Sequence, residues 1–199
     1  MINIISLLLL FTAGLSFDDV GEKLLKNLQD RFDNVNDISA EFKQSTNGKA
    51  IVSGKFFFKK EDKLRIEFKN STLVSDGLTN WSFNQKEHKV IISQNDGSNV
   101  SPFSLKKIVY DYPKECAVTS ENDNGTKVLV LMPEKNSSIG YSAIKIWMTN
   151  ENLISRILMK DNADNLTQID FSKYKVNQKI PGSKFNFTPP EGSKVIDLR

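Results

Sequence analysis

From Ile38 onward the chain changes character at every residue. Ile38, Ala40 and Phe42 alternate with Ser39, Glu41 and Lys43. Val52, Gly54, Phe56 and Phe58 alternate with Ser53, Lys55, Phe57 and Lys59, and Leu64, Ile66 and Phe68 with Lys63, Arg65 and Glu67. Successive side chains of a strand point to opposite faces, so a period of two dictates strands with one apolar face. Further strand-like runs fall at 80–84, 89–93, 127–132, 144–149, 153–160, 166–174 and 184–187. Ser75-Asp76-Gly77 and the run Asn-Asp-Asn-Gly at 122–125 are turn sequences, the second a hairpin signal. Short strands at regular spacing predict an antiparallel sheet or open barrel with its helices on one side.

Two segments carry the helical period instead. Asp19 with Glu22 makes a capping-box-like start, and Val20, Leu24, Leu28 and Phe32, widened by Leu25, form an apolar stripe ending near Asp33-Asn34. The stretch 102–110 reads as a second helix, with Ser101 as cap and Pro102 at the first helical position. Pro189 and Pro190 exclude a central strand at the C-terminus, because each removes a ladder donor, while Val195-Ile196 still suits a sheet edge. No repeat or linker divides the chain, and 199 residues suit one domain.

Residues 4–11 form an apolar run followed by Thr-Ala-Gly-Leu-Ser. Eight residues reach about 12 Å as a helix, far short of a hydrocarbon core about 30 Å thick. The run therefore reads as a secretory signal over 1–16, leaving 17–199 as a single exported, soluble domain. Asn70-Ser-Thr and Asn80-Trp-Ser match glycosylation sequons but read as coincidence in an Asn-rich chain.

The residues that carry chemistry are scarce. One Cys, Cys116, excludes an intramolecular disulfide, and one His, His88, excludes zinc-finger ligand sets and catalysis by paired histidines. His88 sits in the polar run Gln-Lys-Glu-His-Lys, as a loop histidine would, and there is no Gly-x-Ser-x-Gly elbow. Cys116 opens a strand and reads as a small packed residue. Ser75-Asp76-Gly77 leads into a strand and so is no phosphate loop, and Asp161, Asp164 and Asp170 are spread over a hairpin without the glycine and glutamate of a calcium loop. No enzyme, metal or cofactor is expected. The net charge of +3 leaves no basic footprint for nucleic acid. Thirteen Phe against four Tyr and two Trp favour burial or an apolar ligand surface, since Phe has no polar handle.

Four segments in order then resemble the periplasmic lipoprotein carrier family, LolA. They are Asp37-Ile-Ser-Ala-Glu-Phe-Lys-Gln44 after an amphipathic helix; Gly54-Lys-Phe-Phe-Phe-Lys-Lys60 running to Phe68; Leu73-Val-Ser-Asp-Gly-Leu-Thr-Asn-Trp81; and Phe185-Asn-Phe-Thr-Pro-Pro-Glu-Gly192 with Val195-Ile-Asp197. The resemblance implies a mainly β, α+β fold: an incomplete antiparallel barrel whose concave face is covered by helices acting as a lid. It implies a monomeric periplasmic chaperone that shields acylated lipoproteins. The carrier would collect them from an inner-membrane lipoprotein-releasing ABC transporter and hand them to an outer-membrane acceptor. Phe42, Phe56, Phe58, Leu64, Ile66, Phe68 and Trp81 are the candidate acyl-chain residues, with Ile144, Ile146 and Met148 behind them. The alternation leaves open which face is concave. The family's Arg-Pro pair, whose Arg bonds lid carbonyls, aligns with Lys60-Glu61, so Lys60 is the candidate latch, with Arg65 as a substitute. A periplasmic lipoprotein- or lipid-sensing module of the same shape is the alternative reading.

Overall fold

The computed structural model describes residues 19–95 and 103–199. The expected signal over 1–16 lies outside them, as do Ser101 and Pro102 at the expected start of the second helix. Helix α1 (Asp19–Asp33) precedes β1 (Asp37–Thr46), β2 (Lys49–Lys59), β3 (Lys63–Phe68), β4 (Ser71–Ser75), β5 (Thr79–Asn84) and β6 (Lys89–Gln94). A helical segment follows, made of a π-helical turn (Lys107–Asp111) and a 3-10 turn (Tyr112–Glu115). Then come β7 (Cys116–Asp123), β8 (Thr126–Pro133), β9 (Tyr141–Met148), β10 (Ile154–Asp161), β11 (Leu166–Val176), a 3-10 turn (Gly182–Phe185) and β12 (Lys194–Asp197).

All twelve strands join one sheet in the order β12-β6-β5-β4-β3-β2-β1-β11-β10-β9-β8-β7. Two meanders, β1–β6 and β7–β11, meet where β1 pairs β11. Every pairing is antiparallel except β12 on β6, which is parallel and places Val195 and Ile196 at the edge beside Val90 and Ile91. The sheet ends at β12 and β7 and so stays open. Register shifts at Ser39/Glu41 and Gln44/Ser45 place an extra residue in β11 and in β2, the two partners of β1 where the meanders meet, and bulges bend a sheet. The architecture is the mainly β, curved open sheet expected from the alternation.

One face of this sheet is the core. Ile38, Ala40 and Phe42 of β1, Phe56, Ile66, Leu129, Ile144, Ile146, Ile157, Ile169 and Phe171 are buried together with Leu25, Leu28 and Phe32 of α1. In α1 the buried line is Gly21, Leu25, Leu28 and Phe32, and Val20 is exposed. The stripe is rotated from the one expected because Gly21 faces β7, where any Cβ would stand 2.6 Å from the Thr119 carbonyl carbon. The missing side chain sets how closely the helix lies on the sheet.

The run 184–187 is not a strand. Its Lys184 and Phe185 belong to the 3-10 turn, which lies on the opposite, convex face of β2–β6. There the Phe187 ring lies 5.7 Å from Phe83, and Lys184 Nζ sits 4.2 Å above the Phe57 ring. Lys184 also pairs with Glu67 at 2.8 Å. The buried carboxylate of Asp37 steers the chain there by accepting from the Gln178 and Ile180 amides at 2.8 and 3.3 Å. Val74, Val90 and Phe185 are buried on this side, a second small core under the C-terminal segment.

Candidate ligand-binding cavity

Cross-strand partners share a face, about 4.5–5.5 Å apart, so the register of β2–β6 defines rows across the concave surface. One row runs Phe58, Leu64, Ser75, Asn80, Ser93, and the next Phe56, Ile66, Leu73, Ser82, Ile91. Over this end of the sheet, between the strands and residues 103–111, lies a cavity of about 630 Å³. That is well within the range of small-molecule sites, about 300–1,000 Å³. Its apolar wall is Phe58, Leu64, Leu73 and Ile91 with Phe103 and Leu105 from above; its polar wall is Ser75, Asn80, Ser82, Ser93 and Asn95. Asp62, Lys106, Lys107 and Asp111 also line it.

The turns beside the cavity are built to sit close together. Gly77 has φ +99°, in the left-handed region, and a Cβ there would stand 2.5 Å from the Glu61 carbonyl oxygen of the β2–β3 turn. Asp76 Oδ1 closes the turn by accepting from the Leu78 and Thr79 amides at 2.8 and 2.7 Å. This is the physical content of the Ser-Asp-Gly motif: a tight turn that brings two hairpin ends to one rim.

Of the seven candidate acyl-chain residues, Phe58 and Leu64 face the cavity. Phe42, Phe56 and Ile66 are fully buried beside it, and Phe68 packs against them. Trp81 borders the cavity through its strand, but it pairs with Val74 and Ile92, so its side chain lies on the convex face. Ile144 and Ile146 are buried in the core with Met148 against them, away from the cavity lining.

Phe103 explains why the buried phenylalanines lie outside the cavity. Its ring sits 4.8 Å from Phe42, 6.4 Å from Phe56, 6.5 Å from Phe68 and 6.4 Å from Phe171, mostly edge to face. It plugs an aromatic nest floored by three of the candidate residues. No periodicity in the sequence marks Phe103; only its place near the start of the expected second helix hinted at it.

The helical segment over the cavity is held by polar contacts at its margin. Gln29 Nε2 donates to the Val109 carbonyl at 3.0 Å, Tyr110 Oη donates to Asp33 Oδ1 at 2.5 Å, and Lys106 pairs with Asp62 at 2.8 Å. Burial, and then the Asp33 carboxylate, push the Tyr110 hydroxyl well above its ordinary range, so it stays a donor. The hydrogen bond to Asp62 holds the Lys106 ammonium above its usual value. Lys60 Nζ donates to the Asp33 carbonyl at 2.7 Å, at the end of α1. Arg65 instead points to the convex face, where Nε donates to Glu67 at 2.7 Å and a terminal nitrogen reaches the Lys184 carbonyl at 3.4 Å. Arg65 therefore ties down the C-terminal segment. The direct tie from the β2–β3 turn to the cover is Asp62–Lys106, a pair that sequence reasoning missed.

His88 lies exposed in the β5–β6 turn with its ring 6.3 Å from Phe83. Burial pushes the Cys116 thiol up to about 11, which leaves it protonated and unreactive. Among the described residues no group of three His, Cys, Asp or Glu side chains is placed to hold a metal ion, and no helix is long and apolar enough to cross a membrane.

An open curved sheet with helices over an apolar concave face, holding a part-apolar, part-polar cavity, is the architecture of a binding protein for apolar or amphiphilic molecules. The sequence narrows this class: residues 33–188 match the family described as outer membrane lipoprotein carrier protein LolA, and the chain belongs to that family. The outer-membrane lipoprotein carrier protein of Francisella tularensis subsp. novicida (strain U112) is 24% identical over 98% of this chain and 96% of its own length. That of Neisseria meningitidis serogroup C is 30% identical over 63% of this chain and 60% of its own. Among solved structures, an uncharacterized conserved protein from Thermus thermophilus shares the fold, with a TM-score of 0.59, 9% identity, and coverage of 89% of this chain and 99% of that one.

Proposed function

We propose that this protein is a periplasmic carrier that shields the acyl chains of lipoproteins. In this reading residues 1–16 direct export and 17–199 form one carrier domain. It takes its cargo from an inner-membrane ABC-type transporter and gives it to an outer-membrane acceptor, and it makes and breaks no bond. The observation that carries the reading is the cavity beneath a cover whose Phe103 occupies an aromatic nest.

The energetics suit loading and release. Each methylene left in water costs about 0.8 kcal/mol, so an acyl chain does not diffuse free in the periplasm. Lifting the cover exposes Phe103 and the rings beneath it at roughly 1.5–3 kcal/mol for each side chain uncovered. A handful of buried methylenes offsets one such ring, so a long chain opens the cover and the closed state remains available after release. Opening would join Phe42, Phe56 and Phe68 to Phe58 and Leu64 in one continuous apolar floor.

Native mass spectrometry of protein purified from periplasm tests this, alongside membrane fractionation of a deletion strain. The expected result is co-purifying acylated lipoprotein and lipoproteins mislocalised in the deletion strain. A ligand-free protein together with normally sorted lipoproteins would overturn the reading.

A further inference from the structure

The cavity is not uniformly apolar, and its polarity is ordered. Along the row Phe58, Leu64, Ser75, Asn80, Ser93 the residues change from apolar to polar at β4 and stay polar to β6. Ser82 adds a hydroxyl in the adjacent row, between Leu73 and Ile91, and Asn95 follows at the end of β6. Ser75 Oγ and the Asn95 amide are partly used at the rim, toward the Gly77 amide and carbonyl. Among the described residues the side chains of Asn80, Ser82 and Ser93 make no hydrogen bond to protein; all three line the cavity, Asn80 and Ser93 half-buried and Ser82 exposed at its open side. A carrier of bare hydrocarbon gains nothing from such a wall, because polar groups covered by an apolar ligand lose their water without replacement.

The wall also has a chemical sign. Hydroxyls and carboxamides both donate and accept, and none of these residues is charged. Lys106 and Lys107 line the cavity from the cover and not from the row; Lys106 is paired with Asp62, and Asp111 with Lys114. No cation is set into the row to meet a carboxylate or phosphate. These donors can meet a neutral carbonyl without a counter-ion, whereas a carboxylate laid against the same uncharged row leaves water with no cation to pair it and bears that desolvation cost.

From this we infer that Asn80 and Ser93, with Ser82 beside them, are specificity-determining residues that hold the neutral ester or amide linkage of an acylated ligand. The chain itself lies against Phe58, Leu64 and Leu73. The inference rests on the carrier reading and deepens it: the cavity selects esterified or amidated acyl chains over free fatty acids. The row lies at the strand ends beside the β2–β3 and β4–β5 turns, where the linkage of a ligand inserted tail first would come to rest.

Titration calorimetry with 1-monolauroylglycerol and with laurate at pH 8, each below its micelle concentration, tests it on the wild type and on Asn80→Leu/Ser93→Ala. The wild type should prefer the ester by about five- to tenfold, the size of one neutral hydrogen bond. The double variant should bind both amphiphiles with the ratio of their affinities reduced to about one, a result that misfolding would not give. Equal binding of the two by the wild type, or an ester preference that survives in the variant, overturns this inference and leaves the carrier reading standing. Failure of the wild type to bind either amphiphile overturns both.

Discussion

Asp33 and Asp62 carry most of the polar contacts that, in the carrier reading, hold the cover down, and the contacts are few. Asp33 takes Lys60 on its carbonyl and Tyr110 on its carboxylate, while Asp62 takes Lys106 across 44 positions of sequence. Both sides of the Asp62–Lys106 pair are substantially open to water, so its contribution to global stability is small, of the order of 0.2–1 kcal/mol. Its influence on the cover is larger in proportion, because the cover is a short segment held by a few such contacts. Asp62→Asn should leave the melting temperature nearly unchanged yet speed the uptake of a fluorescent acyl probe severalfold in stopped flow. An unchanged uptake rate would remove the pair from the gating of the cavity. Of these residues the sequence singled out Lys60, at the aligned position; the Asp62–Lys106 and Asp33–Tyr110 contacts were not legible in it. Which lysine meets which aspartate depends on the curvature of the sheet, and alternation says nothing of curvature.

At the level of elements, strands were readable wherever one face is apolar. They were obscure where each face carries a single apolar residue, as in β4 (Ser-Thr-Leu-Val-Ser), and the alternation of 184–187 misled because that run begins inside the 3-10 turn that ends at Phe185. Ser75, Asn80 and Ser93 look like ordinary strand serines and asparagine until the register lines them up. The covering segment carries a sharper test. Truncating a core phenylalanine costs about 3–5 kcal/mol, and Phe42→Ala should cost that much in chemical denaturation. Phe103→Ala should cost less, since its segment can lift away and leave no sealed hole, and it should raise the binding of a naphthalene sulfonate dye in the native state. Equal losses would make Phe103 an ordinary core residue. The C-terminal segment responds to pH. Burial raises the Glu67 carboxyl, but hydrogen bonds from Lys184 and Arg65 outweigh it and hold the group below its ordinary 4.5. A carboxyl so depressed stabilises the fold above that value and loses its contribution as acid protonates it. Amide exchange in residues 182–187 should therefore quicken as pH falls below 4.5, and Glu67→Gln should show that faster exchange already at neutral pH. Exchange independent of pH, after correction for intrinsic rates, would place the anchor elsewhere.

The whole molecule works as two faces of one sheet with opposite tasks. The convex side of β2–β6 is sealed by the C-terminal segment through Phe185, Phe187 and the Glu67–Lys184–Arg65 cluster. The concave side is covered by a segment attached at its margin, with a cavity and an aromatic plug beneath. A sheet made rigid from behind can lose its front cover without unfolding, so opening and folding are separate events. Fixing the cover chemically tests that separation. Lys106 Nζ and Asp62 stand 2.8 Å apart, within reach of a carbodiimide that joins amine to carboxylate with no spacer. The treated wild type should carry a Lys106–Asp62 amide, identified by peptide mass spectrometry, and should melt no lower than before. It should also fail to take up the acyl probe. Asp62→Asn treated in the same way acquires every other crosslink but not this one, and should take up the probe as fast as the untreated variant. If the joined protein still loads, the ligand enters by a route that leaves residues 103–111 in place, and the cover is a fixed wall of the cavity.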